Sequence, residues 1–381
     1  MKKSSLYKKM NIKNKIKDIA FICIIGYSVA ACTNHKTATI EVDKVMDINT
    51  IDGYMDEVVD TVIYLPLEMT DNSALSRVQK IWADDSLYFL ADFNYSKIVS
   101  YTHEGHLKFV LNKRGQGPEE YLEIRNFTVD GGKLYTIDNF QNKIFIFDKN
   151  NGNFIDSKQS NIIASDLVAL DNGQFLLTAI PNGKGWKTEQ AKNLVFLTDE
   201  NFNVKNTFYP YQQDYCEPLS RYAYFSATDS SVIFSSFLFD GYTEFKKADG
   251  TILQKVKMEL EHHIPEEQKG ELESYDGSSN YEFVSQCPIA CKQYLFVSVT
   301  KDKKMESYIY DARKEKLYGI DEASHKKVAF IIGSDKEHFI SYIPDKAYYD
   351  ELVKSGLQKA DSLTETHLEQ DGSALVLYKM K

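Results

Sequence analysis

The 381-residue sequence contains only five cysteines and two tryptophans. So few thiols cannot form a disulfide framework. The longest apolar run near the N-terminus, Ile19 to Val29, is too short to span a bilayer. Gly-x-Ser-x-Gly, His-Glu-x-x-His and paired Cys-x-x-Cys motifs do not occur, and the eight histidines lack metal-ligand spacing. The sequence therefore predicts no metal site and gives no signature of a serine hydrolase, zincin or zinc ribbon.

Basic patches are also missing from the body of this acidic chain, whose net charge is −10. An acidic surface repels phosphate backbones, so we expect no nucleic-acid partner. The lysines that do cluster lie within residues 1–31, which carry seven lysines and one acid. Removal of that segment would take the net charge from −10 to −16.

The N-terminal segment has the arrangement of a targeting sequence. A lysine-rich stretch precedes the apolar run, which ends in Val29-Ala30-Ala31-Cys32. This resembles the lipobox of bacterial lipoproteins, which implies a signal peptide over 1–31, a lipid on Cys32 and a membrane partner. The alternatives are an ordinary signal peptide or a buried apolar segment. Because no acidic run follows Cys32, a periplasm-facing anchor in the cell envelope is favoured over surface exposure.

Internal repetition dominates residues 61–381. The segment Leu87-Tyr88-Phe89-Leu90-Ala91-Asp92 recurs as Leu134-Tyr135-Thr136-Ile137-Asp138, each followed by a second strand-forming run and a glycine. Four weaker copies follow, and each unit reads as the hairpin meander of a propeller blade. We predict an all-β, six-bladed β-propeller of four-stranded antiparallel blades, with residues 32–60 as tether and lead-in. The Thr61–Leu65 and Ala374–Lys379 runs should share one blade and close the ring.

Two insertions have helical patterns, at Pro265–Tyr275 and Asp345–Asp361, with Asp345 as a candidate cap. We expect both to decorate one rim of the ring. Cys216, Cys287 and Cys291 are expected to be buried free thiols, although Cys287 and Cys291 could close a small loop.

The motif Gly115-Gln116-Gly117-Pro118-Glu119-Glu120-Tyr121 supports a family assignment. Together with Tyr64-Leu65-Pro66-Leu67-Glu68 and the closing run Ala374 to Lys381, it resembles the six-bladed, NHL-repeat-like β-propeller lipoproteins of Gram-negative anaerobes. Glu119 replaces a common glycine of that family, and Gly372-Ser373 replace a common Asn-Pro. The resemblance implies architecture and an envelope location, and its broader relatives include both binding scaffolds and enzymes.

Candidate ligand-binding residues concentrate in this motif. Its glycines could aim backbone N–H groups at a carboxylate, sulfate or uronate, beside the cations Lys113 and Arg114. Alternatively, the loop could be a structural crossover between blades, with Tyr121 as a packing plug. The candidates here are Lys113, Arg114, Gly115, Gly117, Glu120, Tyr121 and Arg125.

Two aspartates end matching strands, Asp92 and Asp138. They could offer oxygen ligands to Ca²⁺ in the channel, or could cap turns. The aromatic clusters Phe208–Tyr211 and Arg221–Phe225 could bind sugars or fill the core, and Trp186 is the best candidate for an exposed ring.

Three function classes remain open. The first is a non-catalytic binding or scaffold protein for a glycan, peptide or protein partner. The second is a lyase or hydrolase acting on an acidic polysaccharide or lactone, with Asp92, Arg114, Arg125, Asp138 and Arg221 in the channel. The third is a structural subunit of an envelope complex, which would expose a large apolar patch.

Overall fold

A computed structural model describes residues 42–179, 192–211, 221–269, 280–319 and 328–381. Two α-helices, two short 3-10 helices (Met55–Glu57 and Glu266–Gln268) and 27 strands occur in these ranges. In chain order the strands are β1 (Lys44–Asp47), β2 (Gly53–Tyr54), β3 (Val59–Leu67), β4 (Lys80–Ala83), β5 (Leu87–Asp92), β6 (Lys97–Thr102), β7 (Leu107–Leu111), β8 (Phe127–Asp130), β9 (Lys133–Asp138), β10 (Lys143–Asp148), β11 (Phe154–Gln159), β12 (Asp166–Ala169), β13 (Phe175–Thr178), β14 (Asn193–Thr198), β15 (Val204–Pro210), β16 (Phe225–Ala227), β17 (Ser231–Phe234), β18 (Gly241–Lys246), β19 (Ile252–Glu259), β20 (Phe283–Val284), β21 (Ile289–Cys291), β22 (Tyr294–Lys301), β23 (Lys304–Asp311), β24 (Lys316–Gly319), β25 (Ile331–Ser334), β26 (His338–Ile343) and β27 (Ser373–Met380).

The strands form six sheets, which are the six blades of a propeller. Blades 1 to 3 are β4–β7, β8–β11 and β12–β15, blade 4 contains β16–β19, blade 5 contains β20–β24, and blade 6 runs β25-β26-β27-β3. The inner strands contact one another around an axis, including β25 against β4. The predicted all-β, six-bladed architecture is confirmed.

Ring closure also follows the prediction. Strand β3 pairs antiparallel with β27, in a register that places Leu65 opposite Leu375 and Thr61 opposite Lys379. Blade 6 is thus built from both ends of the described chain, and no free sheet edge is left at the junction.

The core lies between the blades. Six hydrophobic clusters each join residues of two neighbouring blades, as where Phe89 of blade 1 and Phe127 and Phe145 of blade 2 pack together. A blade's second strand is covered on both faces, so all six residues of β5 are buried. This double burial explains why the matching segments Leu87–Asp92 and Leu134–Asp138 are mainly apolar, because both faces of each strand are covered.

The lead-in contributes to the propeller body. Strand β1 pairs in parallel with β19 on the outer edge of blade 4, and β2 pairs in parallel with β24 of blade 5. Met46 and Ile48 point into the cluster between these blades and are fully buried. Residues 44–54 therefore cover two outer strand edges before the chain enters blade 6.

The ring has a long-loop face and a short-loop face. In an antiparallel meander, the connections from second to third strand and from outer strand to the next blade lie at the same end. Helices α1 (Lys346–Lys354) and α2 (Ser362–Glu369) lie in the second-to-third connection of blade 6, and the 3-10 helix Glu266–Gln268 precedes blade 5. Both predicted insertions thus lie on the long-loop face, although residues 270–279 are outside the described ranges.

The capping prediction is confirmed, because the Asp345 side chain accepts a hydrogen bond from the Tyr348 N–H. Helix α2, capped by Asp361, was not predicted. Within the described ranges, no helix combines the length and the apolar content that a bilayer span requires.

Candidate functional site

A cavity of about 790 Å³ opens on the long-loop face beside the propeller axis. Its walls come from the starts of the inner strands of blades 1, 4, 5 and 6, and from Tyr348 of α1. In blade 5, Pro288 interrupts the inner strand between β20 and β21, because proline cannot donate to the ladder. The interruption leaves Gln286 and Cys287 in the cavity wall.

The charged residues of this wall are all cationic. Arg77, Lys80 and Arg221 line the cavity, and no Asp or Glu does so among the described residues. The rest of the wall is mainly aromatic, aliphatic, hydroxyl and amide. A cationic, partly aromatic cavity in a chain of net charge −10 is a local exception to the charge of the whole protein.

Arg221 is fixed in place by several contacts. Its guanidinium donates to Ser235 Oγ at 3.2 Å and to the Val284 carbonyl, and it lies over the Phe237 ring, 3.9 Å from the centroid. Arg221 is only 4% exposed. Such stacking and hydrogen bonding hold a charge in a fixed orientation at low entropic cost.

Arg77 and Tyr222 form the outer part of the wall. The exposed Arg77 guanidinium lies 6.0 Å from the centroid of Tyr222, which itself stacks on Phe93 at 6.0 Å. Tyr222 and Phe225 both line the cavity, so the aromatic cluster Arg221–Phe225 identified from the sequence contributes to the site. Trp186, the other aromatic candidate, lies outside the described residues.

A buried polar network fills the axis on the side of blades 2 and 3. The Lys80 ammonium donates to Asn126 Oδ1 at 2.8 Å, to the Phe127 carbonyl at 3.0 Å and to Asp166 Oδ1 at 3.0 Å. Asp166 also accepts from the N–H groups of Tyr224 and Phe225. The network connects blades 1 to 4 and fills the part of the axis beside blades 2 and 3, which do not contribute to the described cavity wall.

Sequence reasoning missed this network and most of the cavity wall apart from Arg221–Phe225. Lys80 and Asp166 begin β4 and β12, and Asn126 immediately precedes β8. A polar residue at the start of the inner strands of blades 1 to 3 was the available signal. This signal could not be recognised from the sequence, because the weaker repeats did not show which runs form the inner strands.

The Gly115–Tyr121 loop is a crossover from blade 1 to blade 2. The Gly117 N–H donates to Glu120 Oε2 at 2.8 Å, so the loop amide already holds the chain's own carboxylate. Tyr121 is fully buried, and its hydroxyl accepts from the Lys113 N–H and donates to the Ser96 carbonyl. This is the geometry of the structural alternative, with Tyr121 as the packing plug.

Glu120 also occupies the space beside both loop glycines. A Cβ added at Gly115 would lie 2.0 Å from Glu120 Oε2. A side chain at position 115 would therefore have to displace the Glu120 carboxylate from its place beside the loop amides.

Asp92 and Asp138 end the second strands of blades 1 and 2, and their carboxylates have the same role. Asp92 accepts from the N–H groups of Ser76 and Arg77, and Asp138 accepts from the N–H of Leu122 at 2.7 Å. Each buried carboxylate thus fixes the loop that leads into its own blade, which is the turn role rather than a channel ligand set.

The five residues considered for acid–base chemistry do not converge on the cavity. Arg221 lines it, whereas Asp92, Asp138, Arg114 and Arg125 are absent from its wall. Arg114 and Arg125 lie near the Glu123 carboxyl. Burial raises the pKa of that carboxyl, although the Asn139 N–H and the two arginines act in the opposite direction. In the described part of the chain, these five residues therefore do not form one acid–base site at this cavity.

The two described thiols are buried and free, as predicted, while Cys216 lies outside the described residues. Burial raises the pKa of Cys287 and of Cys291 to about 12. Both thiols are therefore protonated at neutral pH and poorly nucleophilic. Within the described part of the chain, no group of three or more His, Cys, Asp or Glu side chains could hold a metal ion.

A second cavity, of about 930 Å³, opens on the short-loop face. It shares Trp82, Ala83, Ala227 and Ser334 with the first, so the two cavities meet at the level of Trp82. Its walls carry both signs of charge, and several are paired: Lys149 with Asp84 at 2.5 Å and Lys336 with Asp85 at 2.6 Å. The two ends of the axis therefore differ in electrostatic character.

The chain belongs to the family described as Domain of unknown function (DUF4934), which matches residues 37–376. Among solved structures, an exported protein of Bacteroides fragilis has 18% identity and a TM-score of 0.72, over 88% of this chain and 99% of that chain. A DUF4221-family protein of Bacteroides vulgatus has 9% identity and a TM-score of 0.47, over 85% and 98%. No curated protein matches. At 18% identity the first structure shows the shared propeller fold.

Proposed function

We propose that this chain is a lipid-anchored envelope protein that binds a glycan, peptide or protein partner in the cavity of the long-loop face, without chemical turnover. The observation that carries the proposal is the cavity itself. Its volume of about 790 Å³ lies within the range typical of ligand sites, and its wall combines apolar and aromatic surface with a few fixed polar groups.

The reactive groups of the wall support binding over catalysis. Lys80 is held by Asp166, Asn126 and a carbonyl, and the Cys287 thiol has a raised pKa. A general base or nucleophile must be able to exchange its proton near the working pH. The Cys287 thiol does not meet that requirement, since burial raises its pKa to about 12. Lys80, which donates three hydrogen bonds, is suited to a rigid, preorganised wall.

The anchor is proposed from the N-terminal sequence and from the exported relative. The basic stretch, the apolar run and Val29-Ala30-Ala31-Cys32 match a lipoprotein signal. Expression of the full chain in a Gram-negative host should give a detergent-phase protein with a lipid-modified Cys32, and Cys32→Ser should move it to the aqueous phase. Equal partitioning of both forms would refute the anchor without affecting the binding site.

The binding proposal can be tested on the Cys32→Ser protein. A thermal-shift screen of neutral glycans, acidic glycans and peptides should find a ligand that stabilises the fold, because a ligand at 100 times its Kd adds about 2.7 kcal/mol. Tyr222→Ala in the cavity wall should abolish the shift, and Arg313→Gln in the second cavity serves as the control. Mass-spectrometric detection of a converted ligand would overturn the non-catalytic assignment.

A further inference from the structure

We propose that the long-loop cavity is a docking site for a peptide segment of a partner protein. The segment inserts a large apolar side chain beside Met305 and Phe330 and places a carboxylate at Arg77. This inference rests on the proposed function and selects, among its ligand classes, a peptide segment over a glycan.

Exposed apolar side chains lie at the mouth of the cavity. Met305 and Phe330 both line it, and they are 53% and 37% exposed. Three further exposed side chains lie in second-to-third connections of the same face: Tyr95, Phe140 and Leu363. Among the described residues, no exposed large apolar side chain lies in a hairpin turn of the short-loop face. Large apolar side chains that stay in contact with water on one face are typical of an interaction surface.

A row of three residues across blade 5 forms one side of the mouth. Phe283 of β20 pairs with Thr300 of β22, and Thr300 pairs with Met305 of β23. Directly opposite residues of antiparallel strands lie on the same face of a sheet, and all three line the cavity. The Phe283 ring packs edge-on against Phe237 of blade 4, with 5.6 Å between the ring centroids. The cavity therefore has a largely apolar side that continues from its interior to its rim.

Several hydroxyl groups of the wall are already engaged within the protein. Ser285 and Thr300 form a hydrogen bond to each other at 2.8 Å. Ser334 Oγ donates to a backbone carbonyl at 2.7 Å, and Ser76 Oγ donates to Asp92 at 2.8 Å. A buried sugar hydroxyl loses its water, so a glycan site must supply hydrogen bonds in return. An apolar side chain has no such requirement, and this wall therefore favours an apolar side chain over a sugar ring.

The composition of the wall is that of the core of a protein–protein interface. Such cores are enriched in aromatic residues, Met and Arg, and depleted in Lys, Glu and Asp. The described wall contains eight aromatic residues, Met305, two arginines and no Asp or Glu, and its one lysine is the buried Lys80. The described wall of the second cavity contains six acidic residues and only two aromatic ones. The long-loop cavity, and not the second cavity, therefore has the character of a protein interface.

Arg77 determines which residue should flank the inserted side chain. It is the one exposed charged residue of the described wall, since Lys80 and Arg221 are buried. Its guanidinium lies 6.0 Å from the centroid of the Tyr222 ring. A guanidinium pairs with a carboxylate through two parallel hydrogen bonds, and this pairing adds specificity of orientation. The segment should therefore carry Asp or Glu next to its large apolar residue.

The test begins with a random dodecapeptide phage library that is panned on the immobilised Cys32→Ser protein. Enriched peptides are synthesised with a fluorescein label, and their Kd is measured by fluorescence anisotropy. We expect the enriched sequences to share a Leu, Ile, Met, Phe or Trp next to Asp or Glu. Replacement of that apolar residue by Ser should weaken binding about tenfold or more.

Matched variants of the protein locate the inserted side chain. Met305→Ser should weaken the enriched peptides about tenfold. Leu253→Ser is the control, because Leu253 is also exposed and also the second residue of its strand, but lies on the outer strand of blade 4. It should leave the Kd unchanged. Since Met305 is exposed, its replacement should retain the fold, which the unfolding midpoint checks.

A second pair of variants locates the carboxylate. Arg77→Gln should weaken peptides that carry Asp or Glu about fivefold, and should not affect their Asn or Gln versions. Arg313→Gln removes the same charge from the second cavity and should change neither. Equal weakening by Arg77→Gln and Arg313→Gln would show only a general charge effect and would overturn the assigned carboxylate.

The other outcomes separate this inference from the function beneath it. The absence of enriched peptides, or enriched peptides without a large apolar residue, would overturn the inference. Equal weakening by Met305→Ser and Leu253→Ser, or peptide binding that survives Tyr222→Ala, would overturn it as well, because the peptide would then bind elsewhere. A glycan that stabilises the fold and is lost in both Tyr222→Ala and Met305→Ser would keep the cavity as a binding site and refute the peptide as its ligand.

Discussion

The buried pair of Lys80 and Asp166 allows a quantitative prediction about what holds the propeller axis together. Asp166 is fully buried and accepts four hydrogen bonds, from Lys80 Nζ and from the N–H groups of Leu167, Tyr224 and Phe225. Removing one partner of a buried pair typically costs 3–5 kcal/mol, because a charge is left in a poorly solvated place. Lys80→Met and Asp166→Asn should therefore each lower the free energy of unfolding by roughly 3 kcal/mol.

The double variant distinguishes this mechanism from simple loss of packing. With both charges gone, neither is left uncompensated, so Lys80→Met/Asp166→Asn should be less destabilised than the sum of the single variants by at least about 1.5 kcal/mol. Urea titration followed by tryptophan fluorescence is well suited, since Trp82 lies 6.0 Å from Lys80 Nζ.

A surface ion pair supplies the control for this double-mutant cycle. Lys44 and Glu315 form an ion pair at 2.6 Å, with 31% and 66% of their side chains exposed. Exposed pairs contribute about 0.2–1 kcal/mol, so the same cycle with alanine substitutions should give a coupling below about 1 kcal/mol. Additive effects of the Lys80 and Asp166 variants, within about 0.5 kcal/mol, would refute the coupling.

Three further predictions follow from the described contacts. Tyr121→Phe should lower the free energy of unfolding by about 1–3 kcal/mol, measured by urea titration, because it leaves the Lys113 N–H without its acceptor; an unchanged midpoint would contradict the plug role. Cys287 and Cys291 should resist iodoacetamide at pH 8 in native protein and react in urea, as peptide mapping would show, since burial raises each pKa to about 12; rapid native labelling would disprove it. Burial raises the pKa of Asp335, but hydrogen bonds from His338 and the Glu337 N–H lower it overall. Because the folded pKa is then below the unfolded value, this stabilisation exists above about pH 4 and is lost as pH falls. Asp335→Asn should therefore flatten the acid limb of a Tm-against-pH curve, and an unaltered limb would argue against it.

The fold was predictable because burial imposes a repeated pattern on the strands. In β5 and β9 both faces pack against neighbouring blades, so each strand begins with Leu-Tyr, continues mainly apolar and ends in Asp. Strand pairing at the ring closure followed from the need to cover an edge. Helix α2 was missed because its apolar residues do not mark one face: Leu363 is 79% exposed while Leu368 is buried.

The cavity could not be predicted in the same way. Its wall comes from residues that precede or interrupt inner strands, such as Gln79 and Gln286, and their convergence depends on the positions of four blades. The glycine-rich loop gave a stronger sequence signal because its internal contacts are local. Glu120 lies three residues from Gly117, and their bond satisfies the loop without a ligand.

Closure of blade 6 by β3 and β27 has a consequence for how a nascent chain matures. The two strands are separated by roughly 300 residues, so β3 has no partner until the last strand has been synthesised. The ring therefore cannot close until β27 is available to pair with β3. Until then β3 is an unpaired edge strand, so a chain arrested before Ser373 should remain sensitive to proteases.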